Sequence, residues 1–121
     1  MLSLPLPVRI FLCTQPADMR RSFDGLAQMV REFLQADPLS GHLFIFRSKR
    51  GDRLKLLYWD TDGLAIWYKR LEEGTFRFPV ASAEGHGIEI RAADLTMLLD
   101  GVDLDSVKRR KRYRRPAATV E

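Results

Sequence analysis

Cysteine is nearly absent from this chain: Cys13 stands alone among 121 residues. No internal disulfide can form, so the fold must rest on its core and a reducing compartment is permitted. Histidine is almost as scarce. His42 and His86 lie far apart, and with one cysteine they offer none of the spacings that zinc favours. Neither histidine has the context of a catalytic base, and no glycine-rich phosphate loop appears; Gly85-His86-Gly87 reads only as a turn. No cofactor or metal is expected. Long apolar runs are missing too, and none approaches the roughly 20 residues that span a bilayer, so no membrane partner is expected. Met1 to Leu12 is apolar enough for a signal peptide, but Pro5, Pro7 and Arg9 interrupt it and no small-residue cleavage site follows. These absences point to a cytoplasmic protein. Cys13 itself lies in the apolar run from Ile10 and reads as a buried, inert thiol.

The chain does have positive charge, concentrated in one place. Its net charge is only +4. Yet Lys108, Arg109, Arg110, Lys111, Arg112, Arg114 and Arg115 are cations in a run of eight residues broken only by Tyr113. Removing those seven from the chain's 20 Lys and Arg leaves 13 cations before residue 108, against 15 acidic residues. A mildly acidic body therefore ends in a strongly basic tail. Seven neighbouring like charges cannot be buried, so residues 108–121 are expected to be a solvated, disordered tail. The body, residues 1–107, is expected to form one domain, with enough chain to bury a core. The polyanion best suited to the tail is nucleic acid, because each neutralised phosphate releases condensed counterions.

Hydrophobic periodicity divides the body. Val8 to Cys13 reads as a short strand and Thr14 to Asp18 as a loop, with Asp18 placed to cap a helix starting near Met19. Phe23, Leu26, Ala27, Val30 and Leu34 share one helical face, and Asp37-Pro38 ends that helix. Gly25 inside it suggests a close approach by another backbone. The period then changes to two. His42 to Arg47, Leu54 to Trp59 and Leu64 to Arg70 read as strands, joined by a turn at Ser48 to Asp52 and by the Asp-Gly hairpin signal at Thr61-Asp62-Gly63. Thr75 to Phe78 is a further strand candidate. Val80 to Gly87 reads as a loop, Ile88 to Ile90 as a short strand, and Ala92 to Asp100 as a second helix stopped by Gly101. The fold class expected is α+β: an antiparallel meander of four or five strands with two packed helices.

Two groupings in the meander bear on function. Asp60 and Asp62 could hold Mg²⁺ for nucleic-acid cleavage. They flank a hairpin, however, where Asp is chosen for turn chemistry, and a non-catalytic reading is favoured. Arg47, Lys49, Arg50, Arg53 and Lys55 cluster about the first hairpin, with Tyr58, Trp59, Trp67 and Tyr68 interleaved among further cations. Such a sheet can stack bases and hold phosphates, unless the aromatics fill the core. Arg20 and Arg21 are weaker candidates.

Four ordered strings carry a family resemblance: Ala17-Asp18-Met19-Arg20-Arg21-Ser22-Phe23-Asp24-Gly25-Leu26, Asp37-Pro38 through Phe46, Lys55 through Gly63, and Lys69-Arg70-Leu71 through Pro79. Over residues 5 to 105 the chain resembles the TnpB accessory proteins of the insertion-sequence-66 transposable elements of bacteria. Ala17 departs from the pattern, since threonine is usual there. The resemblance implies a non-catalytic factor that assists a separate transposase, which does the strand chemistry, and it brings no catalytic residues to carry over. The reading from sequence is therefore an accessory factor for DNA transposition. It would bind DNA through the tail, from Lys108 to Arg115, and through the hairpin cations Arg47, Lys49, Arg50, Arg53 and Lys55. The rival reading is a protein-interaction module docking the transposase, with an exposed apolar patch at Trp67 or Phe76 to Phe78.

Overall fold

The structure is a computed structural model, described here for residues 8–79 and 85–100. The basic tail, Gly101 and most of the loop from Val80 lie outside those residues. Strand β1 (Ile10–Ala17) is followed by helix α1 (Phe23–Met29), which continues through a π-helical turn (Val30–Leu34). Then come β2 (Leu43–Ser48), β3 (Arg53–Asp60), β4 (Gly63–Arg70), β5 (Gly87–Ile90) and helix α2 (Ala92–Leu99). The five strands form one sheet in the order β4-β3-β2-β1-β5.

The α+β class and the meander hold: β2, β3 and β4 pair antiparallel in sequence. The expectation of a purely antiparallel sheet needs correction, because β1 pairs with β2 in parallel. The reason lies in the connection. Residues between β1 and β2 are spent on α1, and a helical crossover returns the chain to the same end of the sheet, which gives parallel neighbours. β5 then adds antiparallel on the other side of β1.

A core forms on each face of the sheet, as the unbroken apolar run Leu43 to Phe46 in the central strand requires. On one face Cys13, Phe44, Phe46 and Leu57 pack with Leu26, Ala27 and Met29 of α1 and with Val30 of the π-helical turn. On the other, Leu12, Ile45, Leu54 and Leu56 pack with Leu98 of α2 and with Phe76. Phe76 is fully buried although its segment is not a strand, which corrects the expectation of a strand over Thr75–Phe78 and of an exposed patch there. Its backbone N–H donates to the Gly51 carbonyl at 2.8 Å, tying the segment to the first hairpin instead of to a strand ladder. Cys13 is buried as expected, and burial pushes its thiol pKa up.

Other local corrections have physical causes. Strand β1 runs through to Ala17, past the expected loop at Thr14. Helix α1 begins at Phe23 instead of Met19, because Asp18 is committed elsewhere and Ser22 occupies the N-cap without a side-chain bond. At Gly25 the neighbour is a side chain, not another backbone. An added Cβ would meet Arg21 Cβ at 3.0 Å, and the Arg21 guanidinium donates to the Gly25 carbonyl at 3.2 Å. The second hairpin turns one residue earlier than the Asp-Gly signal suggests. Asp60 pairs with Gly63, and Thr61 takes the left-handed conformation at φ 58°.

Candidate nucleic-acid interface

The parallel pairing brings the carboxyl ends of β1 and β2 side by side, where α/β crossovers characteristically leave a crevice. A cleft of about 610 Å³ opens there, lined by Gln15 to Met19 on one wall and by Ser48, Lys49, Arg50, Asp52 and Arg53 on the other. The hairpin wall is built from its sequence. Ser48 is buried, its carbonyl accepts the Gly51 N–H at 3.0 Å, and its hydroxyl accepts the N–H groups of Gly51 and Arg53 at 3.2 and 3.1 Å. Serine at the first position and glycine at the fourth suit such a turn, and Gly51 has φ 85°. The two central residues, Lys49 and Arg50, are thereby held outward and exposed. They form a ridge, because a smaller cleft of about 280 Å³ lies on their far side, walled by Thr75 to Phe78.

The structure sorts the five hairpin cations expected from sequence. Lys49, Arg50 and Arg53 line the cleft and make no ion pair with any described residue. Arg47 and Lys55 are withdrawn into the fold. The Arg47 guanidinium donates to the Phe76 carbonyl at 3.0 Å and lies over the Phe78 ring at 4.3 Å, with burial holding its pKa below the usual arginine value. Lys55 is buried. Its ammonium donates to the carbonyls of Met19 and Arg21 at 3.0 and 2.7 Å and faces the Tyr68 ring at 4.7 Å. Lys55 is thereby committed to the backbone between β1 and α1, while half-buried Arg47 lines the second cleft beside Phe78. The seven tail cations fall outside the described residues.

Sequence reasoning missed what lies beside the three cleft cations. Arg53 stands directly opposite Arg70 across the β3–β4 ladder. Like charges at such positions destabilise a sheet unless an anion or a carboxylate intervenes. Arg70 reaches Glu72 at 3.3 Å, an exposed pair, while Arg53 has no ion pair among the described residues. The opposition follows from the hairpin register and could have been read by counting back from the second turn. Asp18 and Arg20 were also not associated with the hairpin, since only the parallel pairing brings them to it. Asp18 accepts the Arg20 backbone N–H at 2.9 Å and grips its guanidinium at 2.6 Å, making a turn in place of the expected helix cap.

That grip shifts a titration. Hydrogen bonding from Arg20, first from its side chain and then from its backbone, lowers the Asp18 pKa from 3.8 to about 2. A depressed carboxylate contributes stability that is present above its unfolded value and lost as pH falls through the folded one. Stability between pH 3.8 and about 2 should therefore fall less steeply with pH in Asp18→Asn than in the unsubstituted chain, as followed by thermal melts across that range.

The aromatics do not make one stacking platform. Trp67 and Tyr68 are both exposed, but successive strand residues point to opposite faces. Tyr58 and Trp59 are half-buried. Asp60 and Asp62 remain at the second hairpin, where the Thr61 hydroxyl donates to Asp60 at 3.4 Å. No helix among the described residues is long and apolar enough to cross a membrane.

Comparison with known proteins gives a consistent result. The family described as IS66 Orf2 like protein matches residues 8–109, from the residues before β1 into the basic tail. The uncharacterized protein y4jC of Sinorhizobium fredii is 40% identical over 109 residues, covering 90% of this chain and 91% of that one. The uncharacterized protein y4hO of the same organism is 44% identical over 96 residues, covering 79% and 82% respectively. No solved structure matches the chain.

Proposed function

Because the chain belongs to the IS66 Orf2-like family of transposition-associated proteins, we propose that it is a non-catalytic accessory factor that binds DNA and assists a separate transposase. One observation carries the DNA contact: Lys49, Arg50 and Arg53 line one wall of an open cleft without acidic partners among the described residues, and Arg53 faces Arg70 across the ladder. Three cations with no ion pair among the described residues, two in the turn and one at the start of β3, are a poor arrangement for a protein standing alone and a good one for a phosphate backbone. The cleft also holds Asp18 and Asp52. Asp18 is neutralised by Arg20, and Asp52 takes the Ser48 hydroxyl at 3.3 Å. Such contacts position a duplex and do not read its sequence. The tail supplies the larger electrostatic share, and the cleft fixes where the body sits on the DNA.

Substituting Lys49, Arg50 and Arg53 together by alanine in the full chain tests the cleft. These side chains make no described ion pair, so the melting temperature should hold. The slope of log affinity against log salt should shrink by about 2 to 3, at roughly 0.9 for each phosphate that is no longer neutralised. An unchanged slope would mean that the body meets no phosphate at this cleft.

A further inference from the structure

The outer edge of β4 is long and regular, and no described strand pairs with it. Its eight residues, Gly63–Arg70, contain no proline, and their register with β3 is unbroken from Arg53↔Arg70 to Asp60↔Gly63. Among the described residues only β3 pairs with it. Edge strands of this kind are ordinarily blunted by proline, a bulge or a central charge. Here the only cations, Lys69 and Arg70, sit at one end, and the middle is Leu64-Ala65-Ile66-Trp67-Tyr68. Trp67 is 40% exposed and Tyr68 is 48% exposed.

The phase of the ladder can be fixed. The Leu71 N–H donates to the Asp52 carbonyl at 2.8 Å, one step beyond the Arg53↔Arg70 pair. Hydrogen-bonded and non-bonded pairs alternate in an antiparallel ladder. Ala65, Trp67 and Lys69 therefore turn their amides towards β3, while Leu64, Ile66 and Tyr68 turn theirs outward.

That free edge is complementary to itself. Pairing two β4 strands antiparallel, with Ile66 opposite Ile66 on a two-fold axis, sets Leu64 against the partner's Tyr68 and Ala65 against the partner's Trp67. The smallest side chain of the middle, Ala65, then meets the largest, Trp67. The same register places Asp62 opposite the partner's Arg70, twice by symmetry. Sliding by two residues one way puts Asp62 against the partner's Glu72; sliding the other way sets Asp62 against the partner's Tyr68 and carries Arg70 past the start of the partner's strand; and parallel pairing lays the Lys69-Arg70 ends of both copies side by side. Charge and size select one register and one orientation.

We propose that two copies of this chain associate edge to edge through β4, antiparallel about Ile66, into one continuous sheet. In this dimer Arg70 exchanges its exposed contact with Glu72, 3.3 Å long, for the partner's Asp62. The inference stands on the edge geometry and is independent of DNA binding.

Sedimentation equilibrium of the full chain tests it, with the expected result a dimer of twice the chain mass. Arg70→Asp sets like charges opposite one another at both ends of the interface. It should weaken dimerisation on the order of tenfold, since the two-fold axis counts the pair twice. Adding Asp62→Arg to the same chain restores the opposite signs and should restore the dimer. Ile66→Lys places a charge at the axis and should give a monomer with an unchanged circular dichroism spectrum. A monomer at every concentration would overturn the proposal. So would a dimer indifferent to Arg70→Asp and Ile66→Lys, or an edge that pairs with a transposase strand but not with itself.

Discussion

A full-length chain in which Lys108, Arg109, Arg110, Lys111, Arg112, Arg114 and Arg115 are all replaced by glutamine is expected to lose on the order of a thousandfold in affinity for duplex DNA at low salt. Charge placement sets the size of the effect. The residues before the tail carry 13 Lys and Arg against 15 Asp and Glu, so the body has no net attraction for a polyanion. On the proposed reading its contribution is the cleft wall formed by Lys49, Arg50 and Arg53. Seven phosphate contacts from the tail would dominate the counterion release, and a protein making 6 to 10 such contacts loses about 10³ to 10⁵ in affinity between 50 and 200 mM salt. The glutamine chain should lose far less over that interval, because only the cleft cations remain. Substitution is a cleaner test than deletion, since the family match extends into the tail, to residue 109. Fluorescence anisotropy at several salt concentrations gives the comparison, and equal affinities would transfer the whole DNA contact to the body.

The second large effect is on stability. Phe76→Ala is expected to cost about 3 to 5 kcal/mol, the range for deleting a fully buried aromatic. Phe76 is among the largest completely buried side chains and packs against Leu54, Leu56 and Leu98 in the core under α2. Few backbone bonds hold its segment: its own N–H reaches the Gly51 carbonyl, and its carbonyl takes the Arg47 guanidinium. The ring is thus the main anchor of the segment, and the segment in turn walls the second cleft beside Lys49 and Arg50. At about 4 to 8 °C per kcal/mol for a domain of this size, the melting temperature should fall by well over 10 °C. Phe23→Ala is the control. That side chain is 45% exposed, and its loss should move the midpoint little. Equal shifts for the two would mean that Phe76 does not anchor the core.

The parts of the fold visible in the sequence are those set by neighbours along the chain. Strands β2, β3 and β4 were legible because their turns are short and carry Ser, Gly and Asp, and because alternation assigns Leu54, Leu56 and Tyr58 to one face. The parallel partnership of β1 with β2 was not legible, since nothing local distinguishes a strand that pairs across a helix from one that pairs across a turn. The consequences spread from that point. Asp18 read as a helix cap until the crossover showed it making a turn with Arg20 at the mouth of the cleft. Phe76 read as part of a strand because its aromatic neighbours suggest one, whereas it is buried from a non-strand segment in the cluster with Leu54, Leu56 and Leu98. The hairpin cations looked alike in sequence. Lys55 differs from Lys49 because it alternates with Leu57 onto the face that α1 covers, and the carbonyls of Met19 and Arg21 come within reach of its ammonium. Family membership was carried by four strings in the right order, and a match over residues 8–109 bears it out.

The most direct test of the central claim is the affinity of the unsubstituted full chain for duplex DNA, measured across a series of salt concentrations. A tail that anchors the protein on phosphates predicts a straight fall of log affinity against log salt, with a slope of about −6 or steeper, at roughly −0.9 for each phosphate that the tail alone neutralises. No binding at the lowest salt, or an affinity that does not change with salt, would contradict it.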